Sequence, residues 1–177
     1  MPWTALGQDR ALALLRDSLE NPAHAYLLVG PEGSGKALLA REFARALLCS
    51  DRDVPGGPPC GDCTSCRRTI SGNHPDLAEY QPKGRMGYRE EDTEGIPATA
   101  AVSPFEARYK VFLLERVDAL NRWAANSLLK VLEEPPATVV FVLLSARPEK
   151  VMETIASRCR VVHLQPLSSQ AIATALR

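Results

Sequence analysis

The chain has 177 residues, of which 45% are hydrophobic and 24% are charged, and its 21 basic and 21 acidic residues cancel. This length is sufficient for one sizeable α/β core, and a net charge of zero argues against a function driven by long-range attraction to nucleic acid. The longest apolar runs are far too short to span a bilayer and the N-terminus has no secretory signal pattern, so we expect a cytoplasmic protein without membrane contact.

The first predicted strand is the apolar run HAYLLVG at residues 24–30, and a helix with apolar residues at helical spacing follows at 36–49. Between them, GPEGSGKA matches the phosphate-binding loop pattern of Gly, four residues, Gly and Lys. In such a loop the backbone N–H groups cradle phosphates, the Lys pairs with them, and a Ser or Thr hydroxyl holds Mg²⁺. Here Ala37 occupies the hydroxyl position. The candidate phosphate-binding residues are Gly30, Gly33, Ser34, Gly35 and Lys36.

Four of the five cysteines form a C-x10-C-x2-C-x2-C array. Four thiolates suit a tetrahedral structural zinc site, which has no open position for catalysis, and the alternative is a set of free thiols. We predict a structural Zn²⁺ in a small module inserted at about 49–75. Its ligands would be Cys49, Cys60, Cys63 and Cys66. His74 could replace one ligand, but the sequence HPDL fits a turn before a strand better.

The rest of the chain alternates between strand and helix patterns. A short strand is expected after HPDL, and residues 82–104 are expected to be mostly irregular surface structure because they are rich in Gly, Pro, Glu and Thr. Because the strands are apolar on both faces, they predict a parallel sheet covered by helices on both sides. The later predicted elements are a strand at 109–115, a helix at 121–136, a strand at 138–145, a helix at 148–157 and a strand at 160–166.

The C-terminal residues 167–177 show an N-cap Ser and helical spacing. We interpret them as the start of a truncated helical lid domain that follows a main domain at 1–166.

A P-loop ATPase also needs acidic residues at the end of a second strand, one for Mg²⁺ and in many cases a following Glu that activates water. After the strand at 109–115 this chain has Glu115 and then Arg116, which cannot act as a base. Since Ala37 also removes a metal ligand, we expect no hydrolysis at this site. Binding of ATP or ADP without turnover and an empty loop kept for its shape remain as alternatives.

The order of the motifs resembles a known family. HAYLLVGPEGSGK, the Cys array, HPDL, KVFLLE, NSLLKVLEEPP and SRC are similar to the N-terminal AAA+ domain of bacterial DNA polymerase III clamp-loader subunits of the gamma/tau and delta-prime types. The resemblance covers nearly the whole chain. It implies a P-loop AAA+ domain of the α/β class, with a five-stranded parallel sheet flanked by helices and an inserted small zinc module with four cysteine ligands.

Departures from the family pattern bear on the activity. Motor subunits of the gamma/tau type carry Thr and an Asp-Glu pair where this chain has Ala37 and Glu115-Arg116, which favours the delta-prime type. The resemblance implies that Arg158, in SRC, is similar in role to an arginine finger that reaches the ATP of a neighbouring subunit, and the alternative is a surface or ion-paired arginine. Ser145 matches the position of a polar sensor residue, although a Ser at a strand end is commonplace.

The expected function is that of a non-hydrolysing clamp-loader subunit that is catalytic only in trans. The implied partners are gamma/tau subunits, the delta subunit and, through the assembled complex, the sliding clamp and primer-template DNA. Two alternatives remain: an active gamma/tau-type ATPase, and a zinc-dependent nucleic-acid-binding module on a P-loop scaffold.

Overall fold

Five parallel strands form the central sheet. The structure is a computed structural model that describes residue 3 and residues 7–52, 56–83 and 87–167. The strands are Ala25–Val29 (β1), Leu77–Tyr80 (β2), Lys110–Leu114 (β3), Val139–Ser145 (β4) and Arg160–His163 (β5). They lie in the order β2-β3-β4-β1-β5, and every neighbouring pair is parallel. The predicted five-stranded parallel sheet is therefore confirmed.

The three inner strands β1, β3 and β4 are buried along their whole length. Because successive side chains of a strand point to opposite faces, each inner strand contributes to two apolar clusters. On one face the rings of Tyr26 and Phe43 meet edge to face at 5.1 Å, and on the other Phe112 and Phe141 stack at 5.0 Å. The continuous apolar runs in the sequence thus reflect burial on both faces.

Helices cover both faces of the sheet. They are Asp9–Asp17 (α1), Lys36–Leu48 (α2), Thr64–Ile70 (α3), Ile96–Ala101 (α4), Arg122–Glu133 (α5) and Glu153–Ala156 (α6). Residues of α1 and α2 belong to one apolar cluster, whereas residues of α4, α5 and α6 belong to the other. At the start of α5 the side chain of Asn121 accepts a hydrogen bond of 2.8 Å from the backbone N–H of Ala124, which caps the helix.

Several local predictions are corrected. The expectation of mostly irregular structure at 82–104 is wrong for part of that stretch, because residues 90–92 form a 3₁₀ turn and α4 follows, with Tyr88 and Ile96 fully buried. The helix predicted at 148–157 is split into a 3₁₀ turn and the one-turn α6. Neither α1 nor α3 was predicted. The predicted lid segment lies outside the described residues, apart from its first residue.

Parallel strands place their carboxyl ends at one edge of the sheet, and here that edge assembles the candidate site. Val29, at the end of β1, lies beside Ser145 at the end of β4, and Leu114, at the end of β3, lies beside Leu143. The Gly-rich loop after β1 is therefore brought next to Glu115 and Ser145.

Candidate functional site

The Gly-rich loop joins β1 to the N-terminus of α2. Gly33 and Gly35 adopt φ angles of +75° and +85°, in the left-handed region that side chains disfavour, and Gly35 is the N-cap of α2. A Cβ atom at Gly30 would lie 2.7 Å from the carbonyl oxygen of Leu164. The N-terminus of the 13-residue α2, with its unpaired N–H groups and positive dipole end, faces this loop and can hold an anion.

Lys36 is folded back over the loop. Its Nζ donates hydrogen bonds to the carbonyl oxygens of Gly30 at 2.8 Å and Pro31 at 2.6 Å, and it lies 3.3 Å from the hydroxyl of Ser34. Burial lowers the pKa of Lys36 and outweighs the opposing effect of the nearby carboxylates of Glu32 and Asp118. The ammonium thus lies where a phosphate group would be bound, held by acceptors that such a group could replace.

A cleft of about 440 Å³ opens beside the loop. Its lining includes the predicted site residues Gly33, Gly35 and Lys36, together with Ala37, Glu115, Arg116 and Ser145. Ser34 is buried instead, and its carbonyl oxygen accepts a hydrogen bond of 3.0 Å from the side chain of Gln8.

Gln8 ties this loop to the chain that follows β5. The Nε2 of Gln8 also donates to the carbonyl oxygen of Gln165 at 2.8 Å, and its Oε1 accepts from the N–H of Gln165 at 3.0 Å. The side chain is 3% exposed, so these bonds are shielded from water. Sequence reasoning missed this contact because its partners lie 26 and 157 residues away.

Glu115 is held in an ion pair. Its Oε1 accepts a hydrogen bond of 2.7 Å from the guanidinium of Arg41 in α2, which also contacts Oε2 of Glu79 at 3.0 Å. Burial lowers the pKa of Arg41, but hydrogen bonds to the two carboxylates and their charges outweigh this and raise it. Arg116 is exposed and adopts a left-handed backbone conformation, with φ at 53°. The prediction from sequence identified Glu115 but not its partner.

A second polar network involves the predicted sensor residue. The hydroxyl of Ser145 donates to Oδ1 of Asp118 at 2.9 Å, and Oδ2 of Asp118 accepts two hydrogen bonds from the guanidinium of Arg147 at 2.9 and 2.7 Å. Burial raises the pKa of Asp118, but the hydroxyl and the guanidinium outweigh it and lower the pKa. The hydroxyl proton of Ser145 is therefore already donated to the carboxylate of Asp118. Asp118 and Arg147 were not among the predicted site residues.

The four predicted cysteine ligands converge. Their sulfur atoms all lie within 4.8 Å of one another, with Cys49 3.6 Å from Cys60 and 3.9 Å from Cys63. A tetrahedral zinc with Zn–S bonds of about 2.3 Å separates its sulfur ligands by about 3.8 Å. The backbone N–H groups of Cys63 and Cys66 donate to the sulfur atoms of Cys60 and Cys63. These donors favour thiolates, so the residues fit a structural Zn²⁺.

The pKa of Cys63 agrees with this assignment, whereas burial raises the pKa values of Cys49 and Cys66, so the convergence of the four sulfur atoms carries the assignment. Burial raises the pKa of the Cys63 thiol, but the N–H of Cys66 and the hydroxyl and N–H of Ser50 outweigh it and lower the pKa to about 6. The fifth cysteine, Cys159, is separate from the cluster, and its thiol donates to the carbonyl oxygen of Ile155.

His74 lies outside the cluster and fastens the cysteine module to the sheet. Its Nε2 lies 2.6 Å from the hydroxyl of Ser65, which donates to the carbonyl oxygen of Leu48, and its Nδ1 accepts from the N–H of Asp76 at 3.0 Å. Burial lowers the pKa of His74, so the ring is neutral near pH 7. The interpretation of HPDL as a turn is confirmed, because the N–H of Leu77 donates to the carbonyl oxygen of His74.

Arg158 lies just after α6 and does not line the cleft of its own chain. Its Nη1 donates to the carbonyl oxygen of Thr154 at 2.8 Å, and its Nη2 contacts Oε1 of Glu133 at 3.2 Å. The side chains of Arg158 and Glu133 are 36% and 56% exposed. The guanidinium is thus at the surface, in an ion pair with water access.

Among the residues that the structure describes, none of the helices combines the length and the apolar character needed to cross a membrane.

Comparisons with known proteins agree with the motif order. The chain is 36% identical to the DNA polymerase III subunit delta' of Bacillus subtilis over 167 residues, which is 93% of this chain and 50% of that protein. It is 38% identical to the DNA polymerase III subunit tau of Escherichia coli over 169 residues, which is 94% of this chain and 26% of that protein. The chain thus spans half or less of the length of these relatives.

Solved structures show the same fold. A DNA polymerase III gamma subunit-related protein of Thermotoga maritima superposes with a TM-score of 0.68 at 23% identity, over 90% of this chain and 47% of that one. The RuvB Holliday junction branch migration motor of the same organism superposes with a TM-score of 0.60 at 18% identity. The superposition covers 95% of this chain and 48% of that chain. Residues 7–168 match the family model described as DNA polymerase III, delta subunit. The resemblance found in the motifs is confirmed, and the chain belongs to the DNA polymerase III, delta subunit family.

Proposed function

We propose that this domain belongs to a DNA polymerase III clamp-loader subunit that does not hydrolyse ATP itself and that lends Arg158 to the ATP site of a neighbouring subunit. The observation that carries the proposal is the position of Arg158, which is partly exposed at the surface and does not line the cleft of its own chain. At the surface the guanidinium is accessible to a phosphate that a neighbouring molecule brings to it.

The residues of this chain's own phosphate-binding loop and cleft support the proposal that the subunit does not hydrolyse ATP. Ala37 has a methyl group at the position where an ATP-hydrolysing subunit has a hydroxyl. Arg116 occupies the position where such a subunit has the acidic residue that activates water. The related proteins include subunits of both the delta' and the tau kind. The choice between a site that hydrolyses ATP and one that does not therefore depends on Ala37 and Arg116.

To act as an arginine finger, Arg158 must break its contact with Glu133 of the same chain. A surface ion pair contributes only about 0–1 kcal/mol, so breaking the contact with Glu133 costs little. A guanidinium that neutralises charge on a transferring phosphoryl group is worth about 10³ to 10⁵ in rate. The gain in the neighbouring site therefore exceeds the cost of release.

Partners and cofactors follow from the family. The subunit would assemble with gamma/tau subunits and the delta subunit in the cytoplasm, and would act on the sliding clamp and primer-template DNA through the assembled complex. Cys49, Cys60, Cys63 and Cys66 would hold a Zn²⁺, which supplies a cross-link that folds the module. The loop around Lys36 would either hold ATP or ADP without turnover or stay empty.

The test uses the reconstituted clamp loader with the full-length subunit. Arg158→Ala is expected to lower DNA-stimulated ATP turnover, Arg158→Lys to restore it only in part because an ammonium lacks the planar fork, and Arg67→Ala, at an exposed arginine of the cysteine module, to leave it unchanged. Turnover of Arg158→Ala equal to that of the unmodified complex refutes the finger.

The same complex separates the alternatives. If this subunit were an active motor, Lys36→Ala would lower total turnover, whereas we expect no change in the chemical step. If the domain were instead a nucleic-acid-binding module, the subunit alone would bind DNA at high salt, which its zero net charge argues against.

A further inference from the structure

The guanidinium of Arg41 pairs with Glu115, a carboxylate of the cleft lining, although Arg41 itself does not line the cleft. Arg41 is one helical turn after Ala37 on α2, and side chains on a helix lean back over the preceding turn. Its Nη2 reaches Glu115 at 2.7 Å, across a separation of 74 residues in sequence. It therefore connects the turn that carries Ala37 to the carboxylate at the end of β3.

The residues do not fit a Mg²⁺ ion. A phosphate-binding loop holds Mg²⁺ through a hydroxyl at the position of Ala37 and a carboxylate at the end of the neighbouring strand. Here the first is a methyl group, and the second already accepts a charge-assisted hydrogen bond from Arg41. A metal at this point would have to displace a cation that is held by two carboxylates, since Glu79 accepts from both Nε and Nη2 of Arg41.

Arg41 partly neutralises Glu115 beside the phosphate-binding loop, because its positive charge is shared with Glu79. Four charged side chains line the cleft, namely Glu32, Lys36, Glu115 and Arg116. The charges of these four side chains cancel, and the single positive charge of Arg41 is shared between Glu115 and Glu79. The N–H groups at the start of α2 add a positive potential. The cleft is thus suited to an anion that arrives without a metal ion.

We propose that the Arg41–Glu115 ion pair occupies the carboxylate that a divalent cation would need in this cleft, so that the loop binds a phosphate-bearing nucleotide in its metal-free form. The proposal goes beyond the role of Arg158, since a finger acting in trans requires no ligand in the home site. Its ligand class is a nucleoside di- or triphosphate, held by Lys36 and the loop N–H groups.

The test measures ADP and ATP binding to the full-length subunit by calorimetry, with excess EDTA and with excess Mg²⁺. The unmodified protein is expected to bind ADP in EDTA and to gain no more than about twofold in affinity from Mg²⁺. Lys36→Ala is expected to weaken binding by roughly tenfold or more in both buffers, because it removes the loop's own phosphate partner.

Variants of Arg41 test the ion pair itself. Arg41→Met leaves Glu115 unpaired beside the phosphate, so metal-free binding is expected to weaken by roughly tenfold, and Arg41→Lys keeps the charge and most of the affinity. Ala37→Thr combined with Arg41→Met restores both metal-binding groups and is expected to make binding Mg²⁺-dependent. Arg67→Met is the matched control, and the melting temperature of each variant verifies folding.

Three results overturn the proposal. These are an absence of nucleotide binding to the unmodified protein in EDTA, a gain of tenfold or more on adding Mg²⁺, and unchanged metal-free binding in a folded Arg41→Met variant. None of them affects the trans role of Arg158, which is measured by ATP turnover of the assembled complex.

Discussion

Asp76→Asn removes the charge from a buried carboxylate that holds the backbone of residues 105–107, just before β3. Asp76 is fully buried, its Oδ1 accepts from the N–H of Phe105 at 2.6 Å, and its Oδ2 accepts from the N–H groups of Glu106 and Ala107 at 2.9 Å each. Asparagine can keep one acceptor oxygen, but its NH₂ group then faces a backbone N–H. At least one of these partly buried N–H donors is left without its carboxylate partner.

The magnitude follows from these three bonds. A hydrogen bond to a charged group contributes about 1.5–3 kcal/mol, and an orphaned buried donor costs about 1–3 kcal/mol. Asp76→Asn loses one hydrogen bond and removes the charge from the two that remain. Together these changes lower the free energy of unfolding by about 3 kcal/mol. Since 1 kcal/mol shifts the melting temperature of a domain of this size by about 2–4 °C, we expect a decrease of roughly 6–12 °C.

The effect has a defined pH dependence. Burial raises the pKa of Asp76, but the three backbone N–H groups outweigh it and lower the pKa below its ordinary value of 3.8. A carboxyl group with a lowered pKa in the folded state stabilises the protein above the unfolded-state pKa, and this contribution is lost as the pH falls through the folded-state pKa. The difference between the two proteins is therefore largest near neutral pH and shrinks below about pH 4.

Thermal unfolding followed by circular dichroism, at neutral and at acidic pH, measures this difference. Asp17→Asn changes an exposed Asp in the same way and is expected to shift the melting temperature by less than about 2 °C. The reasoning is refuted if Asp76→Asn melts within about 1 °C of the unmodified protein at neutral pH, or if the difference persists undiminished in acid.

Three further predictions concern the metal, the loop and the core. Cys60→Ser is expected to lose the bound zinc, measured by elemental analysis against one ion per unmodified chain, and Cys159→Ser to retain it because Cys159 is outside the cluster; equal zinc contents would contradict the assignment. Gly30→Ala is expected to lower the free energy of unfolding by about 1–3 kcal/mol, since its Cβ would lie 2.7 Å from the carbonyl oxygen of Leu164; an unchanged urea midpoint would argue against this contact. Phe112→Ala, at a fully buried ring stacked on Phe141, should cost about 3–5 kcal/mol in the same titration, and a loss below about 1 kcal/mol would be inconsistent with the packing.

The strands were predictable because their signal is local. β1, β3 and β4 are buried on both faces, so each appears in the sequence as an unbroken apolar run. The six-residue α4 has no comparable pattern. It depends on Ile96 in the core and on Lys110, whose ammonium donates to the carbonyl oxygens of Thr99 and Val102 at its C-terminal end. Such a helix is specified by its tertiary contacts rather than by its own sequence.

The part of the candidate site that follows a local sequence pattern was also predictable. The loop glycines, Lys36 and the four cysteines are recognisable because their spacing along the chain is typical of phosphate-binding loops and of metal-binding cysteine arrays. Arg41, by contrast, is an ordinary polar residue on the exposed face of α2, and only the sheet order brings Glu79 and Glu115 within its reach. Asp118 is likewise unremarkable until Ser145 and Arg147 are placed around it.

The sequence by itself determined the strand-loop-helix of the phosphate-binding loop, the cysteine array, the absence of a hydroxyl at Ala37 and the family. Each of these depends on residue type and short spacing, which the covalent chain fixes before folding. The tertiary structure alone decided which charges face one another. Ion pairs such as Arg41–Glu115 join residues far apart in sequence, and their partners are selected only when the parallel strands align their carboxyl ends at one edge of the sheet.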